Sequence, residues 1–153
     1  MECVVAQGFL SRRGSRLPDA RESSNARARW NDVFPGERLP GRHTVVALVW
    51  SSWSAHSVDA LIALEDAQRH WASGHADIAC VIATDHGKMS PTEEEILHSD
   101  NITLRAVVLD PKELSATGGQ NQMPVVLVFR EGRVAQKYLG ARSADELVQL
   151  IAE

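Results

Sequence analysis

The residues best placed to do chemistry are two serines and a histidine in the segment 53–57, which reads WSAHS. The apolar run before them, residues 45–50, is short and rich in β-branched side chains, which predicts a strand covered on both faces. An amphipathic stretch from Ser57 to about Trp71 follows and predicts a helix. The two serines are therefore expected where a strand leads into a helix, and the free N–H groups of a helix N-terminus favour anions and thiolates.

A serine becomes a nucleophile only when a neighbouring base takes its proton. His56 lies between Ser54 and Ser57, but no nearby carboxylate would orient it, and residues at a helix start rarely face one another. A Ser–His hydrolase is therefore disfavoured. Serine is also among the best helix N-caps, stabilising by about 1 kcal/mol relative to alanine. We expect one of the two serines to cap the helix.

The remaining pattern predicts an α/β chain with the element order βαβαβαββα and a mixed sheet. Helix starts are indicated at Ser90-Pro91 and Ser143, because each serine precedes a glutamate by three residues. Asp110-Pro111 indicates a further helix start of the same kind, and Gly118-Gly119 would end this short helix. The other predicted helices cover Asn25–Phe34 and the segment from Ser57. The predicted strands after the first are Ala76–Thr84, Ile102–Leu109, Val125–Phe129 and Arg133–Leu139.

The loop resembles the W-C-x-x-C motif of thioredoxin-like proteins, above all the TlpA-like thiol–disulfide oxidoreductases, with Ser54 and Ser57 at the two cysteine positions. Residues 122–129 (QMPVVLVF) resemble the family's segment around its cis-proline, and residues 131–141 resemble its final hairpin and the glycine after it. The resemblance covers roughly residues 43–153. It implies a thioredoxin-like fold: a mixed central sheet with helices on both faces and a C-terminal β-hairpin plus helix.

Disulfide exchange needs one thiolate to attack sulfur and a second sulfur to resolve the mixed disulfide. The hydroxyls of Ser54 and Ser57 are barely ionised near neutral pH and cannot form a disulfide. Members of this family often hold a polar or acidic residue six places before the first cysteine, where this chain has Leu48. We therefore predict no catalytic residue, no cofactor and a redox-inactive domain.

In the family, the chain before the cis-proline pairs with extended substrate peptides. The resemblance thus implies a protein- or peptide-binding or scaffold module that uses a groove beside Pro124. The residues expected in that groove are Trp53, Ala55, His56, Met123 and Pro124. Trp50 is expected to belong to the same apolar, partly exposed patch. The alternative is a thiol–disulfide oxidoreductase of the TlpA or thioredoxin type whose two active-site cysteines are replaced by serine in this chain.

The 153 residues, 44% hydrophobic and 24% charged, are typical of one soluble domain. No apolar run is long enough to span a bilayer, and the N-terminus lacks the order of charges seen in secretory signals. A cytoplasmic location is the default prediction, with the periplasm possible by family analogy. Cys3 and Cys80 lie in unrelated regions, so no disulfide framework is expected, and Cys80 reads as a small buried hydrophobe.

Charge divides the chain unevenly. Residues 1–42 carry eight arginines and five acids, a net charge of +3, which leaves −7 for the remainder. We interpret 1–42 as an Arg-rich, partly disordered extension and 43–153 as the thioredoxin-like domain. Acids interrupt the arginines and no regular aromatic spacing accompanies them, so nucleic-acid binding is disfavoured. The six histidines show no metal-ligand spacing, so no metal site is predicted.

Overall fold

A five-stranded mixed sheet forms the centre of the computed structural model, which describes residues 28–86, 88–109 and 123–152. The strands are β1 (Thr44–Trp50), β2 (Ile78–Thr84), β3 (Arg105–Ala106), β4 (Val125–Arg130) and β5 (Arg133–Leu139). The helices are α1 (Trp30–Val33), α2 (Ala55–Ser73), α3 (Pro91–Ser99) and α4 (Ala144–Ile151). No helix among the described residues is both long and apolar enough to cross a membrane.

The sheet has the strand order β3-β2-β1-β4-β5, with β1 in the middle. β1 runs parallel to β2 and antiparallel to β4, and β5 closes the sheet as the antiparallel partner of β4. β4 and β5 are joined by Glu131 and Gly132 alone, both at positive φ, as a two-residue hairpin turn requires. This architecture confirms the α/β class, the mixed sheet and the closing hairpin and helix.

Every residue of β1 is buried, because the two faces of this strand enter two different apolar layers. Val45, Ala47 and Val49 pack in one layer with Phe129. Val46, Leu48 and Trp50 pack in the other layer, against α2. Successive side chains of a strand point to opposite faces, so a strand covered on both sides sends alternate residues into the two layers. The continuous apolar run in the sequence indicated that both faces of β1 are covered.

The helix signals correspond to real helix starts. Ser90 caps α3 and Ser143 caps α4, each in a reciprocal capping box with the glutamate three residues on. α2 ends at Gly74, as its position after the apolar stripe indicated. The helix predicted from Asp110 to Gly118-Gly119 lies outside the described residues.

Two elements are shorter than the sequence indicated. α1 covers only Trp30–Val33 in the described part of the predicted Asn25–Phe34 helix. β3 covers Arg105–Ala106 instead of Ile102–Leu109, because the Thr103 backbone N–H donates to Glu65 Oε1 at 2.7 Å and not to a neighbouring strand. A buried carboxylate on α2 thus fixes the chain just before β3.

Part of the predicted N-terminal extension packs on the sheet. The Trp30 ring lies 4.6 Å from the Phe34 ring and 5.2 Å from the Phe129 ring, measured between centroids. The Trp30 backbone N–H also donates to the Gly132 carbonyl at 2.8 Å. Residues 28–34 therefore cover the face of the sheet opposite α2, while the domain boundary at 42/43 stays a prediction.

Candidate functional site

The loop between β1 and α2 ends at Ser54, which is the N-cap of α2. Ser54 has extended backbone angles, and its Oγ accepts a hydrogen bond from the Ser57 backbone N–H at 3.3 Å. Its carbonyl accepts the same N–H at 3.0 Å. The prediction that one of the two serines caps this helix is confirmed, and the residue is Ser54.

Ser57 occupies the first turn of α2, and its side chain is fully buried. Within the described residues its Oγ has no hydrogen-bond partner. The neighbouring His56 side chain is exposed, so the imidazole does not share the buried environment of this hydroxyl. Among the described residues no base therefore lies within hydrogen-bond distance of the Ser57 hydroxyl.

Trp53 projects from the loop with 65% of its surface exposed. Its indole N–H donates to Asp85 Oδ2 at 2.9 Å, and its backbone N–H donates to Ser51 Oγ at 3.3 Å. Asp85 is in turn fixed to the start of the same loop, since its backbone N–H donates to the Trp50 carbonyl at 3.1 Å. The largest exposed apolar side chain at this end of the sheet is therefore held in one orientation.

The expectation that Trp50 belongs to a partly exposed patch is wrong. Trp50 is 0% exposed and lies in the apolar layer between the sheet and α2. It follows Val49 on β1, so it points to the opposite face from Val49, and α2 covers that face. Leu48 lies in the same layer, so the position six residues before Ser54 is apolar and buried.

Strand register places Pro124 at the end of the sheet where β1 leads into the loop before α2. Val49 pairs with Val125, so Trp50, the last residue before the loop, comes opposite Pro124 at the start of β4. The Met123–Pro124 peptide bond is cis, and the Pro124 carbonyl accepts the Gly140 N–H at 2.8 Å. Ser54 and Pro124 therefore lie at the same end of the central strands.

Met123 is only 8% exposed, and its side chain packs in the layer that contains Phe129. Its backbone N–H and C=O, in contrast, have no hydrogen-bond partner in the described part of the chain. Ala55 and His56 are exposed on the first turn of α2. Of the expected groove residues, Trp53, Ala55 and His56 thus offer side chains, while Met123 offers only backbone.

Cys80 lies in the middle of β2, where it pairs with Val46, and its side chain is buried. Burial, followed by the negative charge of Glu65, raises the pKa of the Cys80 thiol to about 12. The nucleophilic thiolate is therefore scarce at neutral pH. The expectation of an inert, buried thiol agrees with this environment.

A group of three ionisable side chains beside Trp53 was not found from the sequence. His86 Nε2 lies 3.0 Å from both Glu93 carboxylate oxygens and 3.9 Å from Asp85 Oδ1. We call Asp85, His86 and Glu93 the carboxylate–histidine cluster. The available signal was the pair Asp85-His86 directly after β2, because the carboxyl ends of parallel strands are where open α/β sheets place ligands.

No protein-family model matches the chain, and no curated protein matches it. Solved structures do resemble it. StoA from Bacillus subtilis is 17% identical with a TM-score of 0.57, the match covering 76% of this chain and 90% of StoA. A thiol:disulfide interchange protein of the thioredoxin family from Chlorobium tepidum is 16% identical with a TM-score of 0.55, covering 71% and 77% of the two chains.

A secreted disulfide oxidoreductase of Mycobacterium tuberculosis, homologous to Escherichia coli DsbE, is 14% identical. Its TM-score is 0.56, and the match covers 74% of this chain and 83% of that one. At such identities the likeness concerns the arrangement of the backbone. Together with the sheet order and the loop that leads into α2, it shows that this chain has a thioredoxin-like fold.

Proposed function

We propose that the chain binds an extended segment of another protein in a groove beside Pro124, without exchanging disulfides with it. The observation that carries this proposal is that one end of the sheet holds both an exposed, oriented Trp53 and the backbone N–H and C=O of Met123, which have no hydrogen-bond partner among the described residues. Unpaired backbone N–H and C=O groups form hydrogen bonds with an added strand, and neighbouring side chains supply specificity.

Trp53 would supply most of the side-chain contact. Tryptophan is enriched among the residues that dominate binding energy at protein interfaces. Its hydrogen bond to Asp85 restricts the ring before a partner arrives, which lowers the entropy lost on binding. Ala55 and His56 flank it on the exposed first turn of α2 and would form the rim of the groove.

The residues of this chain argue against covalent chemistry in that groove. Ser54 Oγ is used to cap α2, and Ser57 Oγ is buried without a base. Neither oxygen can form the mixed disulfide through which thiol–disulfide exchange proceeds. A bound polypeptide would therefore be held by non-covalent contacts alone.

The test is a selection of ligands from a displayed random-peptide library, followed by calorimetry with an enriched peptide. Trp53→Ala should weaken binding about thirtyfold, since truncating a tryptophan hot spot costs about 2 kcal/mol. Ile62→Ala is the control, because Ile62 is an exposed apolar residue further along α2. Trp53 is preferred to Met123 for the test because the Met123 side chain is part of the core.

The groove proposal fails if no peptide is enriched, or if enriched peptides bind the Trp53→Ala protein as well as they bind the unaltered chain. Equal losses in the Trp53→Ala and Ile62→Ala proteins would also contradict it, because they would indicate a general effect on the fold.

A second candidate is a thiol–disulfide oxidoreductase whose two active-site cysteines are replaced by serine in this chain. Two of the structural neighbours favour this candidate, since one is a thiol:disulfide interchange protein and the other a disulfide oxidoreductase. The deciding observation is the natural gene, in which serine codons at positions 54 and 57 would end this candidate. Reduction of insulin with dithiothreitol as the electron donor tests the redox-inactive proposal separately. Turnover above the dithiothreitol background would overturn the redox-inactive proposal for the chain as it stands.

The neighbours also bear on the compartment. One of them, the disulfide oxidoreductase from Mycobacterium tuberculosis, is described as secreted. We propose that this chain also works outside the cytoplasm, in place of the default expectation from its N-terminus. Fractionation of cells that express the full chain would test this, and recovery only with cytoplasmic markers would contradict it.

A further inference from the structure

We propose that the carboxylate–histidine cluster binds a divalent transition-metal ion, for which Zn²⁺ is the representative. The cluster contains one imidazole nitrogen and two carboxylates, the donor types that zinc and neighbouring first-row ions accept. The ligand atoms of Asp85, His86 and Glu93 all lie within 4.8 Å of one another. The site goes beyond the proposed groove and does not depend on peptide binding.

The spacing of the donor atoms is close to what one ion requires. His86 Nε2 lies 3.0 Å from the Glu93 oxygens and 3.9 Å from Asp85 Oδ1. Ligands bound to zinc at about 2.1 Å stand about 3.4 Å apart in a tetrahedron. The two distances from His86 lie on either side of that value. The separation between the Asp85 and Glu93 ligand oxygens, at most 4.8 Å, would shorten as the three ligands closed on one ion.

The balance of charge favours a doubly charged occupant. Glu93 is 1% exposed at its side chain, and Asp85 is 17% exposed, so both carboxylates are largely removed from water. Within the described residues neither carboxylate has a lysine or arginine nitrogen within 4 Å. A protonated His86 would neutralise only one of the two negative charges. A divalent ion with neutral imidazole would neutralise both.

The two oxygens of Asp85 have different surroundings, and this difference points to a ligand. Oδ2 accepts the Trp53 indole N–H, whereas Oδ1 is buried and has no hydrogen-bond partner in the part of the chain that is described. A buried, unpartnered carboxylate oxygen is costly. Coordination of an ion by Oδ1 would satisfy it, and the Trp53 N–H would then orient the ligating carboxylate from outside, as partners of metal ligands usually do.

Entry to the site is from the side of His86, whose side chain is 49% exposed. Three protein ligands leave at least one coordination position for water, as in open zinc sites. Glu93 also caps α3, because its Oε1 accepts the Ser90 backbone N–H at 2.8 Å and thereby fixes the start of that helix. The ion would thus connect the end of β2 with the N-terminus of α3.

The test is zinc binding to the full chain without any peptide, so that its outcome is independent of the proposed groove. Stoichiometry would be measured by elemental analysis after dialysis, and affinity by competition with a chromophoric chelator. One ion per chain is expected. His86→Gln, Asp85→Asn and Glu93→Gln should each weaken binding about tenfold or more, since even partners of metal ligands contribute 10–100-fold.

Trp53→Phe should weaken zinc binding by about tenfold through loss of the hydrogen bond to Asp85. His98→Gln is the control and should leave the affinity unchanged, because His98 is an exposed histidine outside the cluster. Far-ultraviolet circular dichroism would verify that each variant is folded. Absence of stoichiometric zinc in the unaltered chain, or undiminished binding in folded His86→Gln protein, would overturn the proposal.

Discussion

The backbone N–H of Ser57 donates to Ser54 Oγ at 3.3 Å, while the Ser57 hydroxyl itself has no partner among the described residues. The hydroxyls of the two serines at the cysteine positions therefore contribute differently to the stability of the fold. One oxygen satisfies a helix N–H group, and the other is a buried polar atom that is not satisfied. Their substitutions should have different effects on stability.

Ser54→Ala should lower the free energy of unfolding by about 1 kcal/mol, because α2 loses its N-cap. Ser54→Asp should retain most of that stability, since a carboxylate also caps and suits the positive end of the helix. Chemical denaturation followed by circular dichroism gives these values. An Ala variant as stable as the unaltered chain would show that the hydrogen bond to the Ser57 N–H contributes nothing.

Ser57→Ala should leave the free energy of unfolding unchanged or raise it slightly. The substitution removes a buried hydroxyl that has no partner among the described residues, and the methyl group that remains is nearly the same size. The same denaturation experiment measures the effect, with Ser54→Ala as the matched comparison. A loss of about 1 kcal/mol or more would mean that this hydroxyl is bonded in solution.

The Ser54→Cys, Ser57→Cys double variant should form an internal disulfide on mild oxidation. The positions are the N-cap and the third residue of one helix, which brings their α-carbons within the range a disulfide spans. The helix N-terminus would also lower the pKa of a thiol at position 54. Mass spectrometry after alkylation counts the thiols, and insulin reduction should rise above that of the unaltered chain.

Either single variant is the control for this disulfide, since one cysteine cannot close the bond. A double variant that remains fully alkylatable after oxidation would contradict the expected geometry.

Cys80 should make the protein less stable as the pH rises above 9. Burial raises the folded-state pKa of its thiol from 9.0 to about 12, so between these values the unfolded chain loses a proton that the folded chain keeps. The unfolded state then binds fewer protons, and the free energy of unfolding falls with pH. Denaturation series between pH 8 and about 11 should show a shallower fall in Cys80→Ala than in the unaltered chain. Equal slopes would indicate that Cys80 titrates normally in the folded protein.

Glu65→Gln should lower the free energy of unfolding by about 2–3 kcal/mol, in the range for hydrogen bonds to charged groups. The buried Glu65 carboxylate accepts both the backbone N–H and the hydroxyl of Thr103 at 2.7 Å and fixes the chain before β3. Asp66→Asn is the control, because Asp66 forms a solvent-exposed ion pair with Arg69. Such pairs contribute little to the free energy of unfolding. Similar losses in free energy of unfolding for Glu65→Gln and Asp66→Asn would contradict the expectation that the buried carboxylate contributes more than the exposed one.

Local signals predicted most of the fold. The apolar run of β1, the capping boxes at Ser90 and Ser143 and the Glu131-Gly132 turn each depend on residues close in sequence. β3 could not be predicted correctly, because its short length follows from the contact between Glu65 and Thr103, which are 38 residues apart. No periodicity in residues 102–109 carries that information.

The site divides in the same way. Ser54 as an N-cap and Cys80 as a buried thiol were predictable from neighbouring residues and composition. The burial of Trp50 was missed because its position beside the loop suggested exposure, while α2 covers its face of the sheet. The carboxylate–histidine cluster was missed because Glu93 serves a visible capping role, and its approach to His86 depends on how α3 sits against the end of β2.

The short α1 helix has a consequence for anyone who shortens this protein. A fragment beginning at His43, where the resemblance to related proteins starts, would lack Trp30 and Phe34 and would leave the Phe129 ring open to water. Such a fragment would expose a hydrophobic surface that favours aggregation. The aggregation would then be mistaken for a property of the native protein.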